Sequence, residues 1–264
     1  MSQFTHLILA EWHKQWRIAR SYWVTLLADQ LFFILGFLIV AGLFDLISEG
    51  NFDGWARLSA LIGYLTWRVA GGCMVEISGS VAVDARYGTL EQIWLSHYPA
   101  ATILFARGIA LIFFYTLRTL GMALIIMPLL QIPLPFVPAV LPIYLLTMLG
   151  VQGISFGLAS LHLVYKNVSP IVMPLGTILL FLTGALVPLD GIPILYPLSQ
   201  FLPLSGGIEL MRAIAVDNAT LAQIMSRPQF GWFLLNTVGY VIAGLLLLRW
   251  AHKRAVTEGA LAHY

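Results

Sequence analysis

Charge is scarce in this chain: Asp, Glu, Lys and Arg make up 10% of its 264 residues, while 59% are hydrophobic. A soluble globular domain carries roughly a quarter charged residues. With so few, a water-soluble form would expose apolar areas larger than soluble monomers tolerate, so lipid is the solvent this composition fits. Lysine occurs only at Lys14, Lys166 and Lys253. None stands in a G-x-x-x-x-G-K-[ST] phosphate loop, which excludes ATP hydrolysis by that route. Cys73 is the sole cysteine, so an internal disulfide and a cysteine metal cluster are excluded as well. No metal-ligand spacing and no nucleophile–base arrangement is present, which leaves an enzyme little support. The net charge of +2 is too small to argue for nucleic acid. No linker, low-complexity run or clear repeat divides the chain, which reads as one domain over 1–264. A polar stretch of about twenty residues precedes the first apolar segment, unlike a signal peptide with its ~7–15-residue apolar core.

What the chain has instead is long apolar segments. A helix crossing ~30 Å of hydrocarbon needs about 20 mostly apolar residues. Six segments qualify, near 22–47, 58–83, 100–127, 137–164, 169–187 and 230–250. The fold class is therefore all-α, a polytopic membrane protein with six transmembrane helices. Gly150, Gly153 and Gly157 lie at one-turn spacing in the fourth segment, as helices in close contact require. The cations set direction. Lys14, Arg17 and Arg20 precede the first segment, Arg86 follows the second, Lys166 the fourth, and Arg249, Lys253 and Arg254 close the last. The other side carries Arg57, Arg212 and Arg227. The excess marks the cytoplasmic side, so both termini are expected there, in a multi-pass protein of the cell membrane.

Three further segments are not spans. At 100° per residue, 3–20 gathers Phe4, Leu7, Ile8, Trp12 and Trp16 on one face and His13, Lys14, Arg17 and Arg20 opposite. Glu11 and Gln15 intrude on the apolar face. This suits a helix lying in the membrane interface better than a plain extension of the first span. In 84–96, Gly88 ends what precedes it, and Thr89 caps a short helix with Glu91 in its first turn. Leu90, Ile93, Trp94 and Leu95 give that helix an apolar side, and Pro99 stops it. Lipid headgroups, the chain's own helices or a soluble partner must cover that side. The stretch 188–215 is too apolar for a solvated loop and too broken, by Pro188, Pro193, Pro197 and Pro203, to cross as one helix. A re-entrant helical hairpin fits, its second helix running over about 204–215.

These features, in this order, resemble the permease subunits of the ABC-2 type exporters. The most specific part is Tyr87-Gly88-Thr89-Leu90-Glu91-Gln92 followed by Leu95-Ser96 and Pro99. It resembles the family's Gly-Thr-Leu-Glu-Gln stretch with its Leu-Ser-x-x-Pro-like ending, although His97 and Tyr98 stand where many members reach proline sooner. The proline-broken stretch with Pro203, Glu209 and Arg212 is similar to the family's re-entrant region. The resemblance implies a homodimer, or a heterodimer with a related permease, with separate ATPase subunits docking from the cytoplasm. It also implies that 84–96 is the coupling segment, carried by Tyr87, Gly88, Thr89, Leu90, Glu91, Gln92 and Trp94. No cofactor is expected on this chain, since ATP and Mg belong to the partner ATPase.

Five charges fall inside the segments, and intramembrane charges are functional hypotheses by default. Asp29, Glu76 and Arg107 each lie about seven residues from a cytoplasmic end, at about 10 Å depth. Equal depth predicts a cluster in which Arg107 neutralises Asp29 or Glu76. Such a cluster either fixes helix rotation or carries protons or substrate. Arg68 and Arg118 sit deeper, with no acid expected at their level. They are met by carbonyls and water, or they face an anionic substrate. With Tyr64 and Trp67 they mark a candidate substrate path. His162 and Tyr165 end the fourth segment as interfacial anchors. Two other functions stay open: a transporter or channel driven by an ion gradient without an ATPase, and a membrane enzyme.

Overall fold

The computed structural model describes residues 3–48, 52–94, 96, 98–133, 137–165 and 168–257. Among these the chain is helical and no strand occurs. In order the helices are α1 (Gln3–Ser21), α2 (Trp23–Ile47), α3 (Gly54–Arg86), α4 (Thr89–Trp94), α5 (Ala100–Leu129), α6 (Val140–Tyr165), α7 (Ser169–Leu182), α8 (Leu195–Ser199), α9 (Pro203–Ala215), α10 (Leu221–Met225) and α11 (Pro228–Thr257).

Among the described residues, five helices are long and apolar enough to cross a membrane: α2, α3, α5, α6 and α11. The expected fifth span over 169–187 is cut short. Its helix α7 has 14 residues, about 21 Å of rise. It stops because Gly184 takes φ +67°, a conformation without a Cβ penalty only for glycine, while Thr183 Oγ1 bonds the Leu179 carbonyl. The segment 188–215 is broken as its prolines require. α8 spans five residues, and Pro203 opens α9, where its missing N–H costs nothing.

Packing centres on α6, which α3, α9 and α11 surround. Glycine permits the approach. A Cβ on Gly153 would stand 2.4 Å from the Tyr240 main chain, and one on Gly244 2.2 Å from the Gly153 carbonyl oxygen, so α6 and α11 touch backbone to backbone. Gly150 faces Pro203 of α9 at 2.6 Å on the same measure, whereas Gly157 meets Leu247 at an ordinary 3.7 Å. α2 has three buried residues, Ile34, Phe37 and Ala41, and leaves most of its apolar surface outward, as a lipid-facing helix does.

One end of the bundle holds α1, α4, the close of α3 and the start of α5. A small cavity there is lined by Asp84, Ile93, Leu104, Leu163, Leu248 and His252, so the C-terminal ends of α6 and α11 share it. We call this the α4 end. α1 runs along the first half of α5: Phe4 stacks near Phe105, and Trp12 meets Phe113 and Phe114 at 4.9 and 6.1 Å. Its apolar side is thus divided between α5 and the outside, where Trp16 remains 55% exposed.

Candidate functional site

The segment predicted to couple the protein to a partner sits at the tip of the α4 end. α3 closes with Tyr87, and Gly88 then turns at φ +69° with its N–H on the Ala85 carbonyl at 3.2 Å. That left-handed step is what glycine supplies there. Tyr87 and Gln92 are exposed, and Ile93 points inward to the small cavity. Thr89 does not cap α4 as expected. It is the first helical residue, and its Oγ1 donates to Asp84, reaching the backbone oxygen and Oδ1 at 3.2 Å each. Ser96 Oγ bonds the Ile93 and Tyr98 carbonyls at 2.7 and 3.0 Å, and Pro99 starts α5. The side chains of Leu90, Glu91 and Trp94, and all of Leu95 and His97, lie outside the described residues.

Directly behind this turn lies Arg107, with 5% of its side chain exposed. Its Nη1 donates to Asp84 Oδ2 at 2.8 Å and its Nε to Glu11 Oε1 at 3.2 Å. The expected pairing with Asp29 or Glu76 is therefore incorrect. Equal counts from helix starts are not equal depths here, because α5 begins about a dozen residues, roughly 18 Å, beyond the start of α2, and α1 covers that overhang. Glu11, the acid that interrupts the apolar face of α1, was the available signal.

Asp29 is instead level with Arg118. It stands between Arg68 and Arg118, its Oδ2 at 2.5 Å from a nitrogen of each. The two deep arginines thus have an acid at their level, contrary to expectation. Arg68 also lies 3.8 Å over the Phe33 ring, and Arg118 lies 5.3 Å over that of Tyr115, a cation–π setting. Glu76 is exposed and accepts from the Tyr115 hydroxyl at 3.4 Å. The proposed path residues Tyr64 and Trp67 bond other helices, to the Phe33 carbonyl of α2 at 2.9 Å and the Gly176 carbonyl of α7 at 2.7 Å. Asp29, Glu76 and Arg107 thus fall into separate groups, while Tyr64, Trp67, Arg68 and Arg118 cluster where α2, α3, α5 and α7 meet.

A family comparison bears on the whole arrangement. Residues 2–216 match the model of the ABC-2 type transporter family. The chain belongs to that family. No curated protein matches it. An ABC-2 chain is the membrane component of an ABC-type transporter, not its catalytic one, and this one is a multi-pass permease subunit. The matched region of this ABC-2 permease runs from α1 through α9 and so contains the Arg107 and Asp29 ion groups and the segment 84–96.

The far end of the ABC-2 bundle holds contacts the sequence did not reveal. Arg212 of α9 is buried, and its three nitrogens donate to the carbonyls of Ser59, Gly184 and Ala185 at 2.9, 2.8 and 2.8 Å. Burial pushes its guanidinium down to about 10, against the opposing pull of Asp190 and Glu209, so it stays charged at neutral pH. It thereby fixes the turn that ends α7 to α3 and α9. Arg57 holds both carboxylate oxygens of Asp45 at 2.9 Å and the Leu130 carbonyl at 3.0 Å. Beside Arg212 a cavity of about 330 Å³ opens, lined by Ser59, Asp190, Tyr196, Gln200, Glu209 and Arg227 among others.

Proposed function

We propose that this chain is the permease subunit of an ATP-driven ABC exporter, working as a dimer with separate ATPase subunits. The observation that carries this is α4. It is a six-residue helix set off by Gly88 at the extreme of the bundle, with Tyr87 and Gln92 outward, and is tied back to α3 and α5 through Thr89 and Asp84. So short a helix does not hold itself; it needs a surface to lie on, and a groove on an ATPase is such a surface. Trp94 is the anchor of that contact, as large aromatics are in grooves. Trp94→Ala and Gly88→Pro are expected to reduce transport and pull-down of the ATPase subunit. Membrane insertion holds in both and thermal stability holds in Trp94→Ala, while proline cannot take the φ +69° turn of Gly88. Normal binding and transport in both variants would remove α4 as the coupling element.

The proposed topology is six crossings with both termini in the cytoplasm, α1 in the inner interface, and α8 with α9 as a re-entrant hairpin. Its support is that Lys14 of α1 and Arg86 of α3 line one cleft and Arg249 of α11 lines another beside Ser96 and Pro99, so cations from three elements meet at the α4 end. α7 and its terminal turn make the sixth crossing. In a Cys73→Ala background, a label at Gln92→Cys is expected to react from the cytoplasm alone and one at Gln223→Cys from outside alone. Labelling of both from one side ends this topology. The ion-gradient alternative has less support here, because Asp29 is ion-paired with both Arg68 and Arg118. Uptake in ATP-free proteoliposomes would favour it.

A further inference from the structure

Glu11, Arg107, Asp84 and Thr89 form a continuous chain of contacts through four elements: α1, α5, the end of α3 and the start of α4. α1 packs on α5 through Phe4 and Trp12, and α4 lies against α3, but α1 and α3 face each other across a gap. Between α1 and α3 there is a cleft of about 370 Å³, lined by Lys14, Gln15 and Ile18 on one side and Val75, Glu76, Gly79 and Val83 on the other, with Arg107 at its base. Arg107 therefore bridges α1 to α3 at the base of this cleft. At the other end of the chain, a Cβ on Gly88 would meet nothing within 4 Å among the described residues, and Thr89 Oγ1 on Asp84 restrains the turn into α4. The arrangement also needs arginine. Glu11 and Asp84 are bound by different nitrogens, Nε and Nη1, a fork that the point charge of a lysine does not reproduce. Glu11 and Asp84 have 13% and 15% of their side chains exposed, and burying two acids and a base gains little stability over apolar packing.

We propose that Arg107 is a positioning residue for energy coupling, its forked guanidinium making the N-terminal helix and the coupling helix move as one body with the start of α5. This rests on the reading that α4 receives the motion of an ATPase. In that case a displacement of α4 reaches α1 through Thr89, Asp84, Arg107 and Glu11 without passing through the core. Arg107→Lys keeps the charge and loses the fork, and Thr89→Val cuts the chain at its far end without removing any charge.

The test uses the full chain in nanodiscs, in a Cys73→Ala background, with spin labels at Lys14→Cys on α1 and Gln92→Cys on α4, both exposed positions. Pulsed electron paramagnetic resonance reads the distance between them. One narrow distribution is expected in the parent, and Arg107→Lys is expected to broaden it about two-fold, because a single lysine nitrogen replaces the two that hold the two carboxylates, with thermal stability little changed. Thr89→Val is expected to broaden it as well, and provides the same readout if Arg107→Lys does not fold. An unchanged width in the folded variants overturns the proposal. The coupling reading is tested separately by adding the ATPase subunit and Mg-ATP and reading the distance from each of these labels to a third at Gln223→Cys, an exposed position on α10, because two labels that move as one body keep their mutual distance. If that moves neither label, the coupling reading fails, while the width comparison still decides whether Arg107 joins the two helices.

Discussion

Gly153→Val is expected to remove nearly all folded, detergent-stable protein. Overpacking typically costs about 1–3 kcal/mol where side chains can shift, but the obstacle here is main chain. The first added carbon would lie 2.4 Å from the Tyr240 carbonyl carbon and oxygen, and carbon atoms rest at about 3.5–4.0 Å. α11 must therefore move away from α6 as a whole, opening the largest helix contact of the bundle. With no water to drive helices together in lipid, that close packing is itself a main source of association. The loss is expected to exceed about 3 kcal/mol. Size-exclusion profile and thermal unfolding in detergent provide the measure, with Gly157→Val as control, since its Cβ meets only Leu247 at 3.7 Å. Equal behaviour of the two variants would show that α6 and α11 are not in backbone contact.

The second large effect is expected at Asp29. Asp29→Leu leaves Arg68 and Arg118 facing each other without their shared carboxylate. Stranding a buried charge costs about 3–5 kcal/mol in soluble interiors, and measured polar couplings within membranes run smaller. Arg118→Leu, in contrast, leaves Arg68 and Asp29 as a balanced pair. Thermal stability is therefore expected to fall much further in Asp29→Leu than in Arg118→Leu. Combining the two substitutions is expected to recover part of the loss, since one arginine then remains instead of two. Strict additivity of the double variant would mean that Asp29 and Arg118 do not interact. A transport defect without a stability defect in Arg118→Leu would assign Arg118 a substrate role.

Several elements could be read before any tertiary contact was known. Gly88 marks a break between two helices and Pro99 a helix start because each acts through its own backbone geometry. Pro203 opens α9 for the same reason, and the second helix of the 188–215 stretch falls at Pro203–Ala215, close to where its prolines and apolar run place it. Gly153 was recognisable as a packing glycine, although nothing in its spacing told it apart from Gly157, which has room to spare. The end of α7 was missed because Gly184 is one more glycine in an apolar run. What makes it a stop is Arg212, twenty-eight residues later, which takes the Gly184 and Ala185 carbonyls.

The sequence alone thus determined the solvent, the helical class and the places where helices break, because these follow from composition and from residues adjacent in the chain. It also determined the family, through the consecutive residues Tyr87 to Gln92 that turn the chain from α3 into its short helix. Tertiary structure alone decided the partners of the buried charges. Whether Arg107 meets Asp29 or Asp84 depends on how far α5 is displaced along α2 and α3, and that displacement is set by which side chains interlock along their whole length. A count of residues from each helix start assumes that all helices begin in one plane. α5 does not, since α1 lies along its first turns and supplies Glu11, and so the acids and bases pair one level away from where their spacing puts them.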